Sequence, residues 1–410
     1  MAFSITRRES LKQIASIAAA SALPFWLPRL SSIAVAGESQ PTPSESQLAR
    51  MDKIANQFMA QYNVPGLSVA IARHGQLVYR TSFGFADVAS SEKVTPDHLF
   101  RIASVSKPIT SVAIFTLIEK GRLKLTDRVF GRDAVLGSDF GSSYPEQVQK
   151  ITLEHLLTHT CGGWQNDALD PMFLNPAMNS HALIRWTLQN QALVDEPGTH
   201  YAYSNFGYCI LGRVIEKVSG QTYAEFVAQN VLAKCDVNNM RIGGNTLLDT
   251  APSEVVYYGQ NVESPYAMNV RRMDSHGGWI ATPSDLVNFA MRVDGFSYTP
   301  SILEPATIET MTTATSANPN YAKGWAVNAA GNWWHAGSLP GTISILVRTS
   351  SGLCWAALTN TRTAGMDLAL DQMMWDMAEA VPAWHALETP VGQLSESWRS
   401  LAELEVPVAA

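Results

Sequence analysis

Apolar and polar positions alternate with two different periods along the chain. Strand-length apolar runs lie at residues 67–72 and 77–84, hinged by His74-Gly75, which is a hairpin signature. Four more runs come late, at 324–328, 333–336, 342–349 and 353–361. A helical pattern over 47–62 precedes the first hairpin, and another over 366–380 follows the last strand. Between Thr95 and about Tyr321 the apolar residues recur mostly at helical spacing, interrupted by loops. Strands at both ends with helices between them predict an α+β chain. One antiparallel sheet would be built from both chain ends (47–94 and 322–380) and flanked by helices, with a large, mostly helical inserted region (95–321). Residues 381–410 form a C-terminal extension, read as a short helix and a loose end.

The stretch 100–121, FRIASVSKPITSVAIFTLIEKG, organises the middle of the chain. Its strand-like start turns into a predicted amphipathic helix with Val112, Ile114, Leu117 and Ile118 on one face and Gly121 as a C-terminal cap. At the helix entry stands Ser104-Val105-Ser106-Lys107. Positions i and i+3 share a helix face, so the Ser104 hydroxyl and the Lys107 amine can meet. A serine hydroxyl needs a neighbouring base to become a nucleophile. A lysine serves as that base when desolvation and nearby positive charge, the helix N-terminal dipole included, lower its pKa. Pro108 is tolerated in the first turn, where amides have no intrahelical acceptor. Ser90-Ser91-Glu92-Lys93 repeats the spacing in a polar loop with no helix behind it, and is read as accidental.

Further candidates follow in order. In residues 151–163, ITLEHLLTHTCGG, His155 and His159 have the i, i+4 spacing of a zinc pair. The glutamate precedes both histidines instead of standing between them, so packing and hydrogen bonding is the preferred reading and no metal is assigned. Tyr203-Ser204-Asn205 introduces a helix over 206–219, and Asn205 is open to reading as its cap. Thr282-Pro283 opens another helix. His335-Ala336-Gly337 lies on a late strand. Trp164, Trp279, Trp333 and Trp334 are candidates for an apolar pocket, and equally for ordinary core.

Composition narrows the function. The chain is 46% hydrophobic and 16% charged, as a globular enzyme would be. Its net charge is −7; residues 1–36 carry +3, leaving −10, which argues against a nucleic-acid partner. Residues 1–36 read as a twin-arginine-type signal peptide: Arg7-Arg8 is followed by an apolar run and by Ala34-Val35-Ala36. That run, broken by Pro24 and Pro28, is too short for a comfortable bilayer span. Export to the periplasm or medium is the expectation, with no stable membrane span after cleavage. Residues 37–46 form a Pro/Ser linker. Cys161, Cys209, Cys235 and Cys354 are scattered and lack metal or redox spacing.

Three motifs now stand in order: Ser104-x-x-Lys107, Tyr203-Ser204-Asn205 and His335-Ala336-Gly337. Over roughly 47–380 the chain resembles the penicillin-recognising serine hydrolases. It is most similar to the branch of class C β-lactamases, serine D-alanyl-D-alanine carboxypeptidases and family VIII carboxylesterases. Residues 151–163, 196–220, 277–286 and 335–342 share the likeness. The resemblance implies the β-lactamase/DD-peptidase-like fold and an acyl-enzyme on Ser104, with no cofactor. Lys107 and Tyr203 would exchange the proton, as base in acylation and acid toward the leaving group. The backbone amides of Ser104 and Ser338 would form the oxyanion hole. Asn205, His335, Ala336 and Gly337 would line the substrate, a small molecule or peptide carrying an ester, amide or β-lactam, with Asn205 bonding a substrate amide or helping to hold Lys107. His335 stands where relatives commonly place a lysine, and Ala336 where many have a threonine that helps hold a substrate carboxylate. The missing hydroxyl lowers the expectation of β-lactam hydrolysis and carboxypeptidase action, and raises that of esterase or less conventional amidase action.

Other classes are weaker. A penicillin-binding-like sensor or scaffold would not need Ser104, Lys107 and Tyr203 all present. The chain has no G-x-S-x-G elbow, which argues against an α/β-hydrolase. A zinc hydrolase would rest on His155 and His159 alone.

Overall fold

The computed structural model of the chain describes residues 40–260 and 264–385. The signal-peptide reading of 1–36 and most of the C-terminal extension lie outside those residues. Among the described residues no helix is long and apolar enough to cross a membrane.

Helix α1 (Glu45–Tyr62) starts at Ser44, which caps it in a reciprocal box with Gln47. It leads into strands β1 (Gly66–Arg73) and β2 (Gln76–Asp87). Their turn residues His74 and Gly75 both have positive φ, 48° and 75°, the geometry that matches hairpin twist. Two short strands, β3 (Glu92–Lys93) and β4 (Phe100–Arg101), precede helix α2 (Ser106–Glu119). Helix α3 (Asn205–Ser219), β5 (Arg241–Ile242), β6 (Trp279–Ala281) and helix α4 (Pro283–Met291) follow. The chain returns through β7 (Ala326–Val327), β8 (Trp333–Leu339), β9 (Thr342–Arg348) and β10 (Leu353–Thr359), and then helix α5 (Met366–Glu379).

Seven strands form one antiparallel sheet in the order β3-β2-β1-β10-β9-β8-β7, so the first and last segments of the fold meet at the β1–β10 seam. The α+β architecture is therefore the one the periodicity predicts. Strand β1 is buried along its whole length because both faces are covered. Leu67, Val69 and Ile71 join Met51 and Phe58 of α1 and Leu370 and Met374 of α5. The alternate Ala70 and Ala72 belong to the helical side with Leu286 and Phe289 of α4.

Helix α2 departs from the amphipathic expectation. Every residue from Ser106 to Leu117 is buried, because the helix runs through the middle of the helical layer. Two of its hydroxyls are received by other segments: Thr110 Oγ1 donates to the Ser275 carbonyl (2.6 Å) and Ser111 Oγ to that of Lys323 (2.5 Å), whereas the buried Ser106 Oγ has no hydrogen-bond partner. Gly121, with φ 68°, takes the left-handed position after the helix end.

Candidate active site

The nucleophile segment is pinned from three sides. The small sheet β4-β6-β5 holds Phe100 and Arg101 against Ala281 and Ile280. Strand β9 reaches across with two hydroxyls: Thr342 Oγ1 donates to the Arg101 carbonyl (2.9 Å) and Ser344 Oγ to that of Ile102 (2.7 Å). Ala103 then takes a φ of +45°, unusual for a residue with a Cβ, and a single 3₁₀ turn (Ala103–Val105) carries Ser104 into the site. Strand β8 passes close by. A Cβ on Gly337 would collide with the Ile102 carbonyl and the Ser344 hydroxyl, and would lie 2.9 Å from the Ser104 amide nitrogen. Glycine there admits the nucleophile segment itself, rather than a substrate.

Lys107 Nζ is fully buried and has three oxygen neighbours: Ser104 Oγ at 2.9 Å, Asn205 Oδ1 at 2.8 Å and the His276 carbonyl at 3.2 Å. A neutral amine has two hydrogens and one lone pair. Asn205 Oδ1 and the carbonyl can only accept, so they take the hydrogens and the lone pair faces the Ser104 hydroxyl. Burial is what makes the neutral form available, holding the Lys107 pKa well below its usual 10.5. Among the described residues no neighbouring cation contributes to that lowering; the nearby charge that acts on Lys107 is Asp170, which opposes it.

The Tyr203 ring lies 4.6 Å from Lys107 Nζ, and its hydroxyl meets the Ser104 side chain. Burial drives the phenol far above its usual range, so Tyr203 rests protonated. Lys107 is thus the group able to accept a proton here, and Tyr203 a group able to donate one. Ser104, Lys107, Tyr203 and Asn205 are thus brought into one cluster. Asn205 is not the cap of α3: Ser204 is, accepting from the Gly207 amide (3.0 Å), which frees the Asn205 side chain for the site.

His335 is placed differently. It sits 5% exposed, its ring centroid 6.3 Å from that of Tyr203, with both nitrogens engaged. Nδ1 lies 2.6 Å from the Ala336 carbonyl and Nε2 lies 3.1 Å from Tyr321 Oη. On the other side of that oxygen, His159 Nε2 lies 3.1 Å away. The Ser204 amide donates to His159 Nδ1 (3.0 Å), so the proton of His159 is on Nε2 and is given to Tyr321. Tyr321 then donates to His335 Nε2, and His335 Nδ1–H to the carbonyl. This chain of donors accommodates both rings as neutral tautomers. Burial agrees, pushing His335 down to about 3 and His159 well below its usual value. His335 therefore brings no positive charge to a position that the resemblance associates with a lysine. His155 is elsewhere, accepting from the Thr152 amide at the start of the helix Leu153–Leu157 (3.3 Å).

Ala336 and Ser338 are partly exposed on β8, and beyond Trp334 that strand has no partner on its β7 side among the described residues. Arg362 donates to Ser338 Oγ (3.1 Å). Trp279 is core, its indole donating to Tyr223 Oη (3.1 Å), and Trp333 covers the Arg348 guanidinium (3.8 Å).

Sequence reasoning missed Asp170, Tyr321 and Arg362. Asp170 is 1% exposed, pushed up to about 6 by burial, and its Oδ2 accepts from Asn205 Nδ2 (2.8 Å). Its one sequence signal is Asp170-Pro171, which reads as a turn entry.

A family model described as Beta-lactamase matches residues 51–375. Penicillin-binding protein 4* of Bacillus subtilis (strain 168) is 30% identical over 241 residues, 56% of this chain and 47% of that protein. Protein flp of Staphylococcus aureus (strain MW2) is 24% identical over 318 residues, 73% of this chain and 60% of that protein. The chain thus spans about half the length of the curated relatives it matches. Among solved structures, D-amino acid amidase from Ochrobactrum anthropi SV3 superposes with a TM-score of 0.68 at 20% identity, over 83% of this chain and all of that one. A class C beta lactamase from Rhodobacter sphaeroides gives 0.64 at 17%, over 80% and 98%. These likenesses show the β-lactamase/DD-peptidase-like fold.

Proposed function

Because the chain belongs to the beta-lactamase family, we propose that it is a serine hydrolase that cleaves an ester or amide through an acyl-enzyme on Ser104. The observation that carries this is the buried Lys107 amine, with two acceptors for its hydrogens and its third direction on Ser104 Oγ. In acylation Lys107 takes the Ser104 proton as Oγ attacks the carbonyl carbon. The oxygen of that carbonyl gathers charge beside the amides of Ser104 and Ser338. Tyr203 gives its proton to the leaving nitrogen or oxygen and regains one from Lys107. Water then attacks the ester in the reverse sense and frees the acid.

The same site supports a substrate that needs no carboxylate beside the scissile bond. Ala336 has no hydroxyl and His335 no charge, which removes two of the contacts such a group would use. Arg362 stands near Ser338 as the group that would restore one. The test is kcat/KM on a short-chain p-nitrophenyl ester, a D-amino acid amide and a peptide ending in D-Ala-D-Ala. The ester or amide should exceed the peptide by at least about tenfold, the scale of one well-made polar contact. A preference for the peptide would overturn the reading. The signal-like residues 1–36 place the working enzyme outside the cytoplasm in this proposal.

A further inference from the structure

Asn205 can help Lys107 only with its oxygen toward the amine. Turned by 180°, the amide would present hydrogens to Nζ, and the lone pair of Lys107 would be drawn to them and away from Ser104. Lys107 does not settle the choice, because a neutral amine can donate or accept. The other end of the amide does. Asn205 Nδ2 donates to Asp170 Oδ2 (2.8 Å) and to Asn166 Oδ1 (3.1 Å). An ionised carboxylate accepts and never donates, so it tolerates only the NH₂ end.

We propose that Asp170 is the positioning residue that fixes the orientation of Asn205, and through it aims the Lys107 lone pair at Ser104.

Asp170 is built to hold still. Its Oδ1 accepts from the Met172 amide (2.8 Å) and caps the turn Pro171–Phe173. The buried Arg272 clamps the loop beyond, donating to the carbonyls of Met172 (2.7 Å), Leu174 (3.1 Å), Asn175 (2.7 Å) and Met178 (2.9 Å). The charged or titratable groups that act on Asp170 are Lys107, Asp167 and Arg272. Those that act on or are acted on by Lys107 are Asp170, His159, His276 and His335, the three histidines being held neutral by burial. Asp170 is thus the acceptor-only group within hydrogen-bond reach of the Asn205 NH₂ that also bears on Lys107.

The inference rests on Ser104 as nucleophile and Lys107 as base, and the experiment separates the two. Wild type, Asp170→Asn, Asn205→Asp and the exchange Asp170→Asn/Asn205→Asp are compared by ester kcat and KM from pH 5 to 10. Labelling of Ser104 by a slowly hydrolysed activated ester that carries no carboxylate is followed by mass. In Asp170→Asn the amide oxygen can keep the Met172 cap while its NH₂ faces Asn205, which forces the flip. That variant should keep its melting temperature and lose about 100-fold or more in kcat, with KM within about threefold. The exchange restores an acceptor-only group between the two positions and should recover at least about tenfold over either single variant. Its carboxylate now touches Lys107 and favours the ammonium. Lys107 must be neutral to act, so the acid limb of kcat/KM should move to higher pH. Asp170→Asn within threefold of wild type, or an exchange no better than Asn205→Asp, overturns the proposal. The second comparison decides alone if Asp170→Asn does not fold. A wild type that is never labelled at Ser104 removes the premise and the proposal together.

Discussion

Replacing Tyr321 by phenylalanine deletes one oxygen and unpairs two imidazoles at once. Tyr321 Oη lies 3.1 Å from His159 Nε2 and 3.1 Å from His335 Nε2, and these rings are 0% and 5% exposed. The ring of the variant keeps the packing, so no cavity term enters. What remains is a buried N–H donor on His159 and a buried acceptor on His335. Each unsatisfied group costs about 1–3 kcal/mol, so the substitution should destabilise the fold by about 2–6 kcal/mol. That is a large share of an ordinary stability of about 5–15 kcal/mol. Urea unfolding followed by tryptophan fluorescence measures it. Ring-nitrogen NMR of the wild type should show His335 neutral with its proton on Nδ1, and His159 neutral with its proton on Nε2. A loss under about 0.5 kcal/mol, below what one unpaired buried group costs, would refute the relay. So would a cationic His335 at neutral pH.

Three further outcomes follow from the same structure. Gly337→Ala puts a methyl against Ile102 and Ser104, and should lower kcat by about 100-fold, as displacement of a reacting group by about 1 Å does; wild-type kcat would show that the nucleophile segment yields freely. Lys107 works as a neutral base with a lowered pKa, so ester turnover should rise through a limb well below 10.5; a limb at the ordinary lysine value would contradict the buried amine. Asp371, buried on α5 and pushed up from 3.8 to about 7, is favoured as the neutral acid in the folded chain. Its contribution is complete below pH 4 and is lost as pH rises toward 7, at most about 4 kcal/mol. Asp371→Asn does not titrate, so its stability relative to wild type should improve between pH 4.5 and 8, and an unchanged difference in urea midpoints would remove the argument.

How legible the site was depends on how local each part is. Ser104 and Lys107 are three residues apart on one turn, so spacing alone puts them together. The strands announce themselves by their apolar runs, and β1 was readable although both its faces are buried. Where the fold decides, the sequence is silent or ambiguous. Nothing near Asp170 says that it meets Asn205, 35 residues on. His159 reads as half of an i, i+4 pair with His155, yet its partner is Tyr321, 162 residues away. Ser204 and Asn205 are both good helix caps by type, and only the packing of Lys107 decides between them. Helix α2 showed an apolar stripe, but its polar face is buried as well because carbonyls of other segments receive its hydroxyls. His335 occupies a position that resemblance associates with positive charge, and burial by the surrounding fold makes it neutral.

The most direct test of the account is the intact mass of the protein after brief exposure to a slowly hydrolysed activated ester that carries no carboxylate, followed by peptide mapping. One adduct is expected, on Ser104, absent from Ser104→Ala and formed orders of magnitude more slowly in Lys107→Ala. An adduct on another residue, or equal labelling of Ser104→Ala, would contradict it.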